Sequence, residues 1–339
     1  MDVIRIPNVY CPFPSHLSPY AQAVHEHSLA WATHFRLIQG ESARRRFLNS
    51  NFAWLTARAY PAAALEDMQL LNDWLIWLFM FDDQFDDGLP GKHLSEIQST
   101  VREYIDICEY PDQISPHGPA AEAMCDLYQR TLPQMTPAWR KRFVRHFIQY
   151  LNTYNWTARN HLQGTVPDIN AYLKNRHHSG GMTVSIDLIE LAGHLYLPDE
   201  LLLSLPFKRL SRATNAVVCW SNDMVSLAKE RARGDVNNLV VIFQQTYHLS
   251  LQEAIEQVNE MITAEVHLFE RIERSLPPIA PARLADDARK YLDGLKCWMR
   301  ANLDWSAETH RYLRVEETQT GEVVSYVETI LAGARAPEY

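Results

Sequence analysis

The 339-residue chain predicts an all-α fold: apolar residues recur at helical spacing along most of its length, stretches that alternate apolar with polar are few, and helix-start chemistry recurs ahead of the apolar stripes. A first helix is expected over 19–39, where Ser18 stands before Pro19 and a proline at the first helical position gives up an N–H that would have no partner anyway. Helices over 42–59, 62–86, 93–109 and 120–131 follow on periodicity, broken by Gly88-Leu89-Pro90-Gly91 and by the stretch from Tyr110 to Pro119. Thr136-Pro137 repeats the cap-and-proline start and opens a long helix to residue 162. Two shorter helices, 168–175 and 182–194, flank His177-His178-Ser179-Gly180-Gly181, and helices over 206–231 and 237–247 come next. Ser250 with Glu253 makes a capping box for a helix over 251–275, and a last helix is expected over 282–313. No loop is long enough for an interdomain linker and no repeat is present, so residues 1–315 are expected to form one domain. Weak periodicity over 316–339 predicts a mobile C-terminal tail.

Composition narrows the function. A chain with 47% hydrophobic and 22% charged residues can bury a sizeable core. Its net charge of -9 supplies no diffuse basic field for a polyanion, so nucleic acid is not an expected partner. The compact basic run Arg44-Arg45-Arg46 is read as a solvated helix face. Five dispersed cysteines without a CxxC suit reduced thiols in a cytoplasmic setting. The N-terminus lacks the pattern of a secretory signal, and the strongest apolar run, Trp74 to Phe81, falls far short of the ~20 residues a membrane span needs.

Two polar rows interrupt the apolar helices. In the first, two turns of apolar residues run into Asp82, Asp83, Asp86 and Asp87 at a helix end, where four carboxylates repel one another and the helix dipole. Asp82 and Asp86, four apart, share a face and can converge on a hard cation. An exposed acidic helix end would look the same, so this pattern alone leaves both readings open. In the second, Asn222, Ser226 and Glu230 recur every fourth residue and stack on one face. An amide, a hydroxyl and a carboxylate offer three oxygens at low charge, suited to Mg²⁺ that also takes water and phosphate oxygens. Singly, each suits a solvated helix, but the preceding Ala216-Val217-Val218-Cys219-Trp220 argues for burial, and a buried polar row needs partners. Lys229 stands beside it as a cation for phosphate.

Together the DDxxD beginning at Asp82 and the NDxxSxxxE beginning at Asn222 resemble the two metal-binding signatures of the class I terpene synthase family, in the family's order. The resemblance spans nearly the whole chain and implies a helical bundle around a central active-site cavity, Mg²⁺ as cofactor with three ions per site, and a prenyl diphosphate as substrate. It implies metal binding by Asp82, Asp83, Asp86, Asn222, Ser226 and Glu230, and diphosphate binding by Arg176, Asn222, Lys229, Arg311 and Tyr312. Arg176 resembles the family's diphosphate-sensing arginine. Gly180 resembles the effector position of its helix break, with Ser179 where an acidic residue is frequent in the family. Phe79 and Trp305 match aromatics that line the family's pocket, and pairing into a homodimer is the family's habit. The implied reaction ionises the substrate, C15 before C20 or C10 on family frequency, and cyclises the allylic cation. A chain-elongating prenyltransferase would carry a second aspartate-rich motif instead of the Asn222/Ser226/Glu230 row. A non-catalytic helical cation-binding protein would need only the acidic cluster. His177 and His178, adjacent in sequence, point to different helix faces and make no zinc site.

Overall fold

The computed structural model describes residues 5–86, 93–111, 113–232, 234–311, 330 and 331, so the expected loop at 88–91 and most of the stretch 316–339 lie outside the described residues. Among the described residues there are fourteen α-helices and no strand: α1 (Ala21–His34), α2 (Glu41–Ser50), α3 (Phe52–Ala59), α4 (Leu65–Asp86), α5 (Leu94–Glu109), α6 (Pro119–Thr131), α7 (Pro137–Gln163), α8 (Ile169–Ser179), α9 (Met182–Ala192), α10 (Asp199–Leu202), α11 (Leu205–Ala232), α12 (Leu239–Tyr247), α13 (Leu251–Arg274) and α14 (Ala282–Glu308). Their buried apolar side chains form one contiguous cluster. No helix among them is long and apolar enough to cross a membrane.

Local chemistry explains where helices start. Thr136 accepts a hydrogen bond from the Trp139 N–H at 3.2 Å with Pro137 at the first helical position, and the Ser250/Glu253 capping box is formed in both directions. Ser18 does not cap a helix that begins at 19. Its Oγ accepts from the Tyr20 N–H and its carbonyl from Ala21, which makes a turn and delays α1 to Ala21. That helix stops at His34 rather than 39 because Arg36 leaves it at φ 55°.

The helix expected over 42–59 is two helices. Asn51 stands between them at φ 52°, ψ 39°, a left-handed geometry that asparagine tolerates better than most residues. The break turns out carbonyls, and the end of α14 covers them: Trp305 Nε1 donates to Ser50 O at 2.9 Å and to Asn51 O at 3.1 Å, Thr309 Oγ1 to Ser50 O, and the His310 N–H to Asn49 O. This docking ends α14 at Glu308 rather than 313. Thr309 turns to extended backbone at ψ 143°, and its hydroxyl receives the Arg311 N–H at 3.2 Å.

The frame around the centre is tied by buried polar contacts. In α4, the indole of Trp74 donates to Thr131 Oγ1 and that of Trp77 to Ala120 O, both at 2.8 Å, so two large apolar surfaces are buried without stranding an N–H. Arg142 of α7 binds Asp187 and Glu190 of α9, and Asp199 of α10. In the expected tail, Ile330 is buried, its N–H donating to Gln84 Oε1 and its carbonyl accepting from Ala120.

Candidate active site

A cavity of about 110 Å³ opens among α3, α4, α7, the α8–α9 junction, α11 and α14. Asp82 lines it from α4, Arg176 from α8, Asn222, Ser226, Lys229 and Glu230 from α11, and Arg311 from beyond α14. Below this polar mouth the wall is mainly apolar, with Leu55, Leu75, Leu78, Phe79, Met182, Val218 and Trp298. The two polar rows therefore face one space although more than a hundred residues separate them. The Asp86 side chain and all of Asp87 and Tyr312 lie outside the described residues.

The α11 row is built to present oxygens. Ser226 spends its hydrogen on the Asn222 backbone carbonyl at 2.7 Å, which leaves its lone pairs for the cavity. Glu230 receives the Asn238 amide at 2.8 Å on Oε2. Burial, then the charges of Asp223 and Asp235, push the Glu230 carboxyl up to about 7. A cation in front of it would relieve that cost. No group of three or more His, Cys, Asp and Glu is gathered among the described residues. The donor set, two carboxylates from separate helices with an amide and a hydroxyl, fits a hard ion that completes its shell with water and phosphate.

Cations surround this row. Arg176 meets Asp223 Oδ1 at 2.7 Å, Asn222 Oδ1 at 2.9 Å and the Cys219 carbonyl at 3.2 Å. Burial opposes its charge, and the Asp223 carboxylate overcomes that opposition, holding the Arg176 pKa well above its usual value. Asp223 in turn accepts from Tyr172 Oη at 2.5 Å and from the Leu239 N–H. Asp223, read from the sequence only as a letter of the motif, thus anchors Arg176.

Asp83, unlike Asp82, does not line the cavity and is held by cations. Arg311 donates to both its oxygens at 2.9 Å, Arg46 lies 3.2 Å and Lys229 3.6 Å away. Burial would raise its carboxyl, but Arg311, Lys229 and Arg46 outweigh that and hold it well below the usual carboxylate range. Arg46 corrects the reading of the basic run as a solvated face: its third residue turns inward onto Asp83. Asp82, by contrast, receives one hydrogen bond among the described residues, from Tyr154 Oη at 3.0 Å, and burial followed by the Asp83 charge pushes its pKa up.

The helix break sits where α8 meets α9, and Ser179, Gly180 and Gly181 all line the cavity. Gly181 adopts φ 66°, which suits glycine, and a methyl on Gly180 would overlap Cys219 Sγ. His177 is held with its pKa down at about 4, by burial first and then by His178 and Arg212.

Of the two expected aromatics, Phe79 lines the cavity and Trp305 does not. Trp305 is 1% exposed, packs on Phe52 and Phe79, and spends its N–H on the α2–α3 break. Trp298, two turns earlier on the same side of α14, is the tryptophan that reaches the lumen, a difference of depth that helical spacing does not reveal.

Comparison with known proteins agrees with this geometry. The family described as terpene synthase family 2, C-terminal metal binding, matches residues 73–268. A germacrene A synthase from Nostoc punctiforme is 34% identical over 95% of this chain and 99% of its own length. A (+)-T-muurolol synthase from Roseiflexus castenholzii, named as cyclizing (2E,6E)-farnesyl diphosphate, is 33% identical over 91% of this chain and 94% of its own. The crystal structure of a linalool/nerolidol synthase from Streptomyces clavuligerus superposes with a TM-score of 0.79 at 28% identity, covering 88% of this chain and 100% of that one. A shared cavity faced by both oxygen rows, a match over more than half the chain and relatives aligned end to end lead to one conclusion: this chain belongs to the class I terpene synthase family, lyases that act on diphosphates.

Proposed function

We propose that this protein is a Mg²⁺-dependent cyclase that ionises farnesyl diphosphate and closes the resulting cation to a cyclic sesquiterpene hydrocarbon or alcohol, releasing diphosphate. The observation that carries the reading is the single cavity onto which Asp82, Asn222, Ser226 and Glu230 face together with Arg176, Lys229 and Arg311. The C15 substrate is supported by the (2E,6E)-farnesyl diphosphate named for the T-muurolol synthase.

Asp82 and the Asn222/Ser226/Glu230 row would hold Mg²⁺, which when bound supplies Lewis-acid stabilisation to charge developing on the leaving group. Arg176, Lys229 and Arg311 act as donors to the departing oxygens, and their prior pairing with Asp223 and Asp83 fixes where they stand before substrate arrives. Gly180, free of a side chain, lets the break approach the reacting end. The allylic cation is then held in a lumen whose apolar side chains exclude water, and the faces of Phe79 and Trp298 attract positive charge by up to ~2 kcal/mol when desolvated. The reading takes residues 1–315 as one catalytic domain, supported by the contiguous core, in the cytoplasm, supported by five free cysteines.

Purified protein incubated with Mg²⁺ and, separately, the C10, C15 and C20 diphosphates tests this. A cyclic C15 product with stoichiometric diphosphate is expected. Absence of diphosphate release from all three substrates overturns the proposal.

A further inference from the structure

A polar side chain, Asn302, stands beside the apolar lining residues Val218 and Trp298. Asn302 of α14 lines the cavity, is 5% exposed, and is one turn from Trp298 on one side and about two turns from the Thr309 turn that carries Arg311 on the other. Its amide nitrogen donates to Ser221 Oγ at 3.0 Å and to the Val218 carbonyl at 3.4 Å. The hydrogen-bond chemistry settles which way this amide points. Ser221 spends its own hydrogen on the Val217 carbonyl at 2.6 Å, with Val218 O as its only other acceptor. Both groups facing the amide therefore only accept, and only the Nδ2 end of Asn302 can satisfy them. With Nδ2 held by α11, Oδ1 is the arm left for the cavity that Asn302 lines.

A carbonyl dipole on a wall that should accommodate a hydrocarbon chain is costly to desolvate unless something positive meets it. Val218 and Ser221 lie within one turn of Asn222 along α11, and Trp298 lies one turn before Asn302 along α14, so the amide stands between the Asn222 row and Trp298. Resting on the cyclase reading above, we infer that Asn302 is a product-determining residue. Its Oδ1 stabilises positive charge on the cyclising carbon chain one helical turn below the diphosphate end, and so selects which cation persists long enough to close. The amide forms no bond and takes no proton, being too weak a base at carbonyl oxygen. It acts as a fixed dipole against a moving charge.

The test compares Asn302→Leu, which keeps most of the volume and removes the dipole, with Ser221→Ala, which removes one anchor but leaves Val218 O to hold the nitrogen and hence the oxygen in place. With farnesyl diphosphate and Mg²⁺, diphosphate release and the product ratio by gas chromatography are read together. The inference expects Asn302→Leu to go on releasing diphosphate while the share of the wild-type major product falls at least about twofold, and Ser221→Ala to keep the wild-type ratio. A residue that merely joined α14 to α11 would give the two variants the same profile, and that result, or an unchanged ratio in Asn302→Leu, overturns the inference. Should Asn302→Leu not fold, Asn302→Ala carries the same test with the same outcomes. Wild-type protein that releases no diphosphate defeats the cyclase reading and this inference with it, whereas intact release with unmoved products defeats the inference alone.

Discussion

Arg311 grips Asp83 with two parallel hydrogen bonds of 2.9 Å, joining the end of α14 to the first acidic motif across 228 residues. With Lys229 at 3.6 Å and Arg46 at 3.2 Å on the same carboxylate, Asp83 is the point where the two motifs and the C-terminal arm are tied. Asp83→Ala is expected to lower stability by about 3 kcal/mol, because it removes the carboxylate on which three largely buried cations converge. It should also lower turnover at least about tenfold, because Arg311 and Lys229 lose their place. Chemical denaturation and diphosphate release measure the two effects separately; a variant as stable and as active as wild type would remove Asp83 from this role.

Arg176 and Asp223 form the second tie. Arg176→Ala is expected to abolish diphosphate release and also to destabilise, since Asp223 would stay buried without its counter-charge. Arg176→Lys should recover part of the stability but keep turnover at least about a hundredfold down, because an ammonium cannot reproduce the fork that reaches Asp223, Asn222 and Cys219 O together. Thermal melts beside single-turnover assays check this, and a fully active lysine variant would show that charge alone suffices.

Metal dependence separates the enzyme from a passive cation-binding protein. Chelation should stop turnover and Mg²⁺ should restore it, while Asp82→Ala and Glu230→Ala should be inactive with the helical signal retained. Calorimetric titration should show tighter Mg²⁺ binding with diphosphate present than without, since the protein donors are too few to fill the ion's shell. Equal affinity in both conditions would favour the passive reading.

The two tryptophans of α14 should part company. Trp298→Ala is expected to redistribute products with modest loss of stability relative to Trp305→Ala, which should cost about 3–5 kcal/mol as a large core side chain and take one donor from each of the Ser50 and Asn51 carbonyls. Product profiles and melting temperatures decide it. A changed profile in a stable Trp305→Ala protein would return that ring to the lumen.

At the helix break, Gly180→Ala should cut turnover at least about tenfold, because the added methyl meets Cys219 Sγ where α8 abuts α11. Pairing it with Cys219→Ala should restore a good part of the rate. No recovery in the double variant would place the fault in the backbone of the break rather than in the clash.

Much of this molecule is readable from the order of its residues. Helix positions followed from periodicity and from caps such as Thr136 and Ser250, and the oxygens of Asn222, Ser226 and Glu230 fell on one stripe because a spacing of four acts within a single helix. What no local pattern contains is depth and partnership between distant helices. Only packing decided that Trp298 and not Trp305 reaches the lumen, that Arg46 of an apparently solvated run turns onto Asp83, that Asn51 breaks a helix so α14 can dock on its carbonyls, and that Asn302 lines the cavity. Each of these depends on which groups meet across long stretches of chain, where burial and hydrogen-bond saturation, rather than helical propensity, set the outcome.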